Sequence, residues 1–135
     1  LFCMNSPSRL EDIKDGTSHV AAFNETTLRL YNGGSANCTW GYRGWVKTGT
    51  SLYGISPYGI NQWTIPMAWA SWAGANAGTS VAGRLANWGG AGSLHPGGCQ
   101  SAFADGSVHF LSETTDLITL QMLGYIADGT TLQNF

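Results

Sequence analysis

The segment that decides the fold spans residues 95–110 and reads His95-Pro-Gly-Gly-Cys-Gln-Ser-Ala-Phe-Ala-Asp-Gly-Ser-Val-His-Phe110. At its centre lies Asp105-Gly106, a dipeptide that favours the two-residue turn of a β-hairpin because both residues tolerate positive φ. The flanking residues, 101–104 and 107–111, have the character of two short strands. The sequence therefore predicts a β-hairpin with a type I′ turn at Asp105-Gly106.

A short helix is predicted directly after the hairpin. Thr114 or Thr115 can provide its N-cap, and Asp116 suits the positive end of the helix dipole. Gly124 is a natural stop. The apolar residues that can pack on the sheet are Leu117, Leu120, Met122 and Leu123.

The rest of the chain is expected to add short strands and a long loop. A turn at Asp15-Gly16 leads into an extended segment, 18–23, and two further strands are predicted at 28–31 and 44–48. Between residues 53 and 92 neither the helical nor the strand period persists, which indicates a long Gly/Trp-rich loop region. We predict an α+β fold in which a small antiparallel β-sheet carries one short C-terminal helix, in a single domain spanning residues 1–135.

Two blocks of the sequence resemble a known family. His95, nine intervening residues and Asp105-Gly106, with the segment 112–124 that follows, resemble the C-terminal signature of prepilin-like proteins described by a His-x9-Asp-Gly motif. Members commonly carry an Ile-x-Asp-Gly-Thr-Ser element before an apolar strand that ends near a Glu; the matching residues here are Ile13, Asp15, Gly16, Thr17, Ser18 and Glu25. The resemblance implies the C-terminal globular domain of a type IV pilin- or pseudopilin-like protein.

The resemblance also implies a location and partners. Pilin-like proteins lie outside the bacterial cytoplasm, at the cell surface or secreted, and associate with themselves or with other pilin-like subunits. Their N-terminal hydrophobic helix is both membrane anchor and filament core, whereas this chain begins at Leu1 and has no run near the ~18 to 20 apolar residues of a membrane span. We expect that helix to have been removed or to lie outside this chain, and we expect membrane contact only through it.

Charge argues against a nucleic-acid partner. The 135 residues include six basic and eight acidic side chains, with a formal net charge of −2. The basic residues are scattered singly, so no positive stripe can follow a phosphate backbone.

Two interpretations of His95 arise from its position. It could be a general base or metal ligand paired with Asp105, or a structural residue whose imidazole ties the Gly97-Gly98 approach to the hairpin. Turn chemistry already explains Asp105, which favours the structural interpretation. His109 is predicted on the outer face of its strand. Because the sequence has no Gly-x-Ser-x-Gly elbow and most carboxylates suit turns or caps, no enzyme activity and no catalytic residue are expected.

Calcium is the one cofactor that the resemblance suggests, since pseudopilin domains sometimes stabilise a C-terminal loop with it. Calcium takes about six to eight oxygen ligands. Asp105, Glu113 and Asp116 are close in sequence, but the chain has no Asp-x-Asp-x-Asp loop. The preferred expectation is a protein without metal or cofactor, in which these carboxylates are solvated or cap a helix.

The aromatic residues leave two binding functions open. Tyr and Trp are enriched at protein interfaces, and the pilin resemblance favours contacts with neighbouring subunits. The alternative is a carbohydrate-binding module in which aromatic rings stack on sugars, with Asn61, Gln62 and Asn76 bonding the hydroxyls. The aromatic residues concerned in either case are Tyr53, Tyr58, Trp63, Trp69, Trp72 and Trp88.

Two covalent modifications are also predicted from short patterns. Cys3, Cys38 and Cys99 form an odd set without metal-site spacing, so one disulfide of undetermined pairing is expected beside one free thiol. Asn24 and Asn37 each begin an Asn-x-Thr sequon, which would make the chain a glycoprotein if either is used.

Overall fold

The computed structural model describes residues 9–27, 29–30, 59–86, 90–126 and 129. Its strands are β1 (Ala21–Asn24), β2 (Arg29–Leu30), β3 (Arg84–Leu85), β4 (Gly98–Phe103) and β5 (Val108–Ser112), and its α-helices are α1 (Ala70–Ala73) and α2 (Leu117–Met122). Short 3-10 turns cover Leu10–Asp12, Thr17–His19, Met67–Trp69 and Gly74–Asn76. The predicted strand at 44–48 lies outside the described residues. In the described part of the chain no helix is both long and apolar enough to cross a membrane.

A three-stranded antiparallel sheet with the order β1-β4-β5 is the centre of the fold. The β4–β5 register pairs Gly98 with Ser112 and Ala102 with Val108 without a break. The β1–β4 register shifts between Ala21 and Phe23, which marks a bulge in β1. The small antiparallel sheet and the α+β class are therefore confirmed.

The predicted hairpin is confirmed, but its turn is of another type. The amide of Phe103 donates to the Ser107 carbonyl at 2.8 Å, and the amide of Gly106 donates to the Phe103 carbonyl at 3.0 Å. Gly106 has φ +88°, whereas the only non-glycine with positive φ among the described residues is Asn61. The loop thus has three residues and one left-handed position, at Gly106. The type I′ prediction was wrong because Asp105 does not adopt positive φ, and its side chain instead accepts a hydrogen bond from the Ser107 amide.

The segment after the Asp15-Gly16 turn is less extended than predicted. Gly16 has φ +94° and is followed by the 3-10 turn Thr17–His19, so β1 begins only at Ala21. The amide of His19 donates to the Gly16 carbonyl at 3.0 Å, which closes this turn. The strand predicted at 28–31 is observed as β2, which pairs in parallel with β3.

The segment predicted as a long loop contains several short elements. Residues 59–86 include α1, β3 and a bridge between Thr64 and Ser80. These elements are too short to show a helical or strand period in the sequence, which explains why the pattern indicated irregular structure. Residues 53–58 and 87–89 of the predicted Gly/Trp-rich loop lie outside the described residues.

The core lies between one face of the sheet and α2. Cys99, Phe103 and Leu111 on the sheet pack with Leu120 and Leu123 at the end of the chain's last described helix. The helix is confirmed, but its N-cap is Asp116, whose carboxylate accepts from the Thr119 amide at 2.9 Å. Thr114 and Thr115, predicted as caps, instead bond back to Ser112 in the preceding turn.

Candidate functional site

The two blocks that carry the family resemblance lie side by side. The amide of Asp105 donates to the Thr17 carbonyl at 3.1 Å, and the amide of Ala104 donates to the Val20 carbonyl at 2.9 Å. Both bonds fasten the tip of the β4–β5 hairpin to the chain that leads into β1. The matched blocks therefore form one structural unit, although 87 residues separate Thr17 from Ala104 by numbering.

His95 does not pair with Asp105. It lies before the start of β4, whereas Asp105 follows the end of that strand. The Nε2 atom of His95 lies 3.4 Å from Oε1 of Glu25. The interpretation that paired His95 with Asp105 as a base or metal ligand therefore named the wrong partner, because the six residues of β4 hold the two groups apart.

Glu25 connects the end of β1 to β4 and to the segment between Ser93 and Gly98, which we call the His95 loop. Its Oε2 atom accepts from the Gln100 amide at 2.7 Å, and its own amide donates to the Gln100 carbonyl at 3.0 Å. Since Oε1 faces His95, the carboxylate serves two partners with its two oxygens. Glu25 thus supplies the link that the sequence had assigned to Asp105.

A buried polar network lies under the His95 loop. Asn61 accepts from the Ser93 amide at 2.8 Å through Oδ1 and donates to Glu113 Oε2 at 3.0 Å through Nδ2. Ser93 Oγ donates to the Gly98 carbonyl at 2.7 Å and accepts from the His95 amide at 3.0 Å. The network joins the segment 59–61 to both ends of the loop, so it fixes the loop as a rigid approach to β4.

Three residues in and beside this network have a special backbone requirement. At Asn61 and Gly97 it is a positive φ, and at Gly98 it is close contact with a neighbouring strand. Asn61 has φ +57°, a conformation that Asn adopts more readily than most residues. Gly97 has φ +81°. A Cβ atom at Gly98 would overlap the Leu111 carbonyl oxygen, because β5 passes directly beside it. The predicted structural importance of Gly97 and Gly98 thus has a separate geometric cause at each position.

Asp105, Ser107 and His109 form an exposed hydrogen-bonded series at the hairpin tip. Asp105 Oδ1 accepts from the Ser107 hydroxyl at 2.7 Å and from the Ser107 amide at 2.9 Å, and these bonds lower the pKa of Asp105. His109 Nε2 lies 3.0 Å from Ser107 Oγ. Because the hydroxyl donates to the carboxylate, the histidine is not placed to remove its proton, and the series serves to stabilise the turn.

His109 also corrects an expectation about the strand faces. Its ring packs edge-on against Phe103 with centroids 5.0 Å apart, and its partner across the ladder is the buried Ser101. His109 therefore lies on the inner face of the sheet, although it is exposed at the edge. The outer face carries Val108 and Phe110, which sequence reasoning did not single out.

The three carboxylates considered for calcium have separate roles. Asp105 bonds Ser107, Glu113 accepts from Asn61, and Asp116 caps α2. Asp105 is separated from the other two by the length of β5. Within the described ranges, no group of three or more His, Cys, Asp or Glu side chains could hold a metal ion.

The structure describes part of the predicted modification sites. Cys99 is a free, buried cysteine, and burial raises its pKa to about 11. Cys3 and Cys38 lie outside the described residues, so the predicted disulfide, whose pairing the sequence left open, stays a prediction. Asn24 accepts from Ser101 Oγ at 2.8 Å, which ties its side chain to the sheet; glycosylation there stays a prediction, and Asn37 lies outside the described residues.

The aromatic residues are only partly described. Trp63 packs against Leu85 and lines a small depression, open to solvent, together with Asn76 and Arg84. The backbones of Trp69 and Trp72 lie in the turn Met67–Trp69 and in α1. Asn61, predicted to bond sugar hydroxyls, is instead used inside the polar network. Tyr53, Tyr58 and Trp88 lie outside the described residues.

An exposed apolar surface on the outer sheet face was missed from the sequence. The ladder pairs Phe23 with Ala102 and Ala102 with Val108, which places these three side chains in one row across the sheet. Phe23 is 65%, Val108 62% and Phe110 48% exposed. We call Phe23, Ala102, Val108 and Phe110 the outer apolar face. Its signal in the sequence is ambiguous, because β5 has apolar residues on both faces.

Comparison with known proteins gives one finding. A family model described as a protein of unknown function, DUF1559, matches residues 1–117. Neither the curated proteins nor the solved structures contain a match.

Proposed function

We propose that this chain, which belongs to the DUF1559 family of proteins of unknown function, is a non-enzymatic, extracytoplasmic structural protein: a pilin- or pseudopilin-like subunit of a surface or filamentous assembly. The family is associated with pilin- and pseudopilin-like proteins, and the match covers most of the chain. The small antiparallel sheet with its short C-terminal helix is compatible with such a globular domain.

The outer apolar face is the observation that carries the proposal. A row of exposed apolar side chains on an open sheet face is typical of a surface that contacts another protein. None of the four residues of this face is charged. A contact there would bury apolar area without removing a charge from water, which suits association between subunits.

The His-x9-Asp-Gly segment has a structural role in this proposal. His95 and Glu25 hold the incoming loop, Asp105 and Gly106 form the hairpin tip, and Asp15 and Gly16 shape the turn docked on it. The carboxylates of Glu25, Asp105 and Glu113 each hold a backbone or side-chain donor. These engagements support a structural rather than a catalytic use of the motif.

The test compares assembly of the native material with that of a single variant. Electron microscopy and sedimentation of material recovered from the cell surface should show a periodic, high-mass form. Phe23→Gln should reduce the high-mass fraction, because it removes an apolar group from the outer face. The matched control is Leu10→Gln, since Leu10 is equally exposed, at 65%, but lies outside the sheet. A dispersed monomer, or equal behaviour of the two variants, would contradict the proposal.

A carbohydrate-binding module is the second candidate, and the depression beside Trp63 favours it. An aromatic ring next to amide and guanidinium groups is a combination that can stack on a sugar and bond its hydroxyls. A glycan array should then show saturable binding that is lost in Trp63→Ala, because Trp63 lines the depression. No saturable binding to any glycan would dismiss this candidate and leave the assembly proposal unaffected.

A further inference from the structure

The two edges of the β1-β4-β5 sheet are not equivalent. Along β1, the Ala21 amide donates to the Leu123 carbonyl at 2.8 Å, so the end of α2 occupies the outer side of this strand. Just beyond β1, the Glu25 carbonyl accepts from the Gly92 amide at 3.0 Å. Another strand could not add along β1 without displacing these partners.

The outer edge of β5 has no such covering in the part of the chain that the structure describes. The Phe103 amide donates to the Ser107 carbonyl, and the Glu113 amide donates to the Gly97 carbonyl. The backbone N–H and C=O groups of the odd-numbered β5 residues therefore point toward β4. In an antiparallel ladder the intervening residues direct their N–H and C=O groups away from the partner strand. Val108 and Phe110 therefore present backbone donors and acceptors at the open edge, since among the described strands β5 pairs with β4 alone.

The side chains of β5 do not protect this edge. Natural edge strands are commonly shielded by Lys, Pro or a bulge. The segment 108–112 is Val-His-Phe-Leu-Ser, which has no charged residue and no Pro, and its register with β4 is unbroken. The edge is thus open to pairing with another uncharged extended strand.

We infer that this strand is β5 of a second copy of the chain, paired antiparallel about a two-fold axis at Phe110. Phe110 then lies opposite Phe110 of the second copy, and Val108 lies opposite Ser112 of that copy. A two-fold axis perpendicular to the sheet keeps both outer apolar faces on the same side, so they join into one surface. Head-to-tail addition of β5 to β1 is disfavoured by the covered edge of β1, whereas a two-fold contact needs only β5.

The contact is expected to be weak between free subunits. A five-residue strand buries little area, and stable complexes bury about 1,200–2,000 Å². The dimer should therefore form at high local concentration, as in an array. The inference deepens the proposed assembly role by naming a pair contact, but it rests on the geometry of β5 and has a separate test.

The decisive experiment is sedimentation velocity of the whole chain from about 10 µM to about 1 mM. Wild-type protein should shift from monomer to dimer. Val108→Lys should weaken dimerisation at least about tenfold, because it places a charge on each side of the axis. Ile118→Lys is the matched control, since Ile118 on α2 is 61% exposed against 62% for Val108, and it should dimerise like wild type.

Amide hydrogen exchange of the wild-type protein provides a readout that needs no variant. Protection of the Val108 and Phe110 amides should increase with concentration, while the His109 and Leu111 amides, which face β4, should change little. A monomer throughout, equal dimerisation of the two Lys variants, or concentration-independent exchange at Val108 would each overturn the inference. If the wild-type protein does not dimerise but still forms an assembly that Phe23→Gln reduces, the β5 pair contact is refuted and the proposed assembly function stands.

Discussion

The backbone amide of Asp105 donates a 3.1 Å hydrogen bond to the carbonyl oxygen of Thr17. This bond joins an Asp-Gly turn near the C terminus to an Asp-Gly turn near the N terminus. Each turn has a left-handed glycine, Gly106 with φ +88° and Gly16 with φ +94°. The two turns thus form a single closed corner of the sheet, and a change in either should be felt by both.

Gly97 and Gly98 should differ in their tolerance of Ala. Gly97→Ala forces a side chain into φ +81° but meets no atom within 4 Å, so it should destabilise the fold by about 1 kcal/mol. Gly98→Ala directs a methyl group into the Leu111 carbonyl and should cost about 2 kcal/mol or more. Urea unfolding followed by tryptophan fluorescence measures both. Equal losses would mean that β4 and β5 do not approach as closely as described.

Glu25 should matter for stability more than its sequence context suggests. Glu25→Ala leaves the Gln100 amide without its acceptor at the end of β1, and a loss of about 1–2 kcal/mol is expected. Glu25→Gln keeps an oxygen acceptor and should therefore lose less stability than Glu25→Ala. Glu11→Ala is the control, because the Arg9–Glu11 pair is exposed and should change stability by less than about 0.5 kcal/mol. If Glu25→Ala left the free energy of unfolding unchanged, the carboxylate would not bridge β4 and His95 as described.

Asp105 should make the hairpin tip sensitive to acid. Hydrogen bonds from the Ser107 hydroxyl and amide lower the pKa of Asp105 in the folded state. Its contribution is therefore present above the unfolded-state pKa, near 3.9, and is lost as pH falls through the folded-state pKa. Ser107→Ala should raise the Asp105 pKa in an NMR titration. Asp116, held low by Thr119, is the internal control and should not move.

Cys99 should resist thiol reagents in the folded protein. Burial is the largest cause that raises its pKa to about 11, so at pH 8 its thiolate fraction is at least about a hundredfold below that of an ordinary thiol. Alkylation followed by peptide mass spectrometry should leave Cys99 unmodified in native protein and modify it in urea. Rapid native labelling would contradict the buried position.

Local signals in the sequence were sufficient for the hairpin and for α2. Asp105-Gly106 sits between two strand-like runs, and Gly124 follows a run of apolar residues, so each element is determined within about ten residues. The turn type was not determined, because a left-handed residue at Gly106 alone satisfies the same dipeptide.

Contacts across the chain could not be read from the same signals. Glu25 and His95 are brought together only by the β1–β4 register, and that register includes a bulge with no mark in the sequence. Asn61 reaches Ser93 and Glu113 from a left-handed conformation that an Asn-Gln dipeptide does not announce. Predicting the outer apolar face would have required knowing which alternate side chains of β5 point away from α2, and only the register with β4 gives this.

The hydrogen bond from the Ala21 amide to the Leu123 carbonyl determines how many edges of the sheet can pair with a strand of another subunit. With that bond in place the sheet has one open edge among the described residues, so pairing through sheet edges alone gives pairs and not chains. Unfolding or proteolysis of α2 would expose a second end and permit unlimited growth. If the subunits pair as inferred, α2 limits growth through sheet edges as well as covering the core.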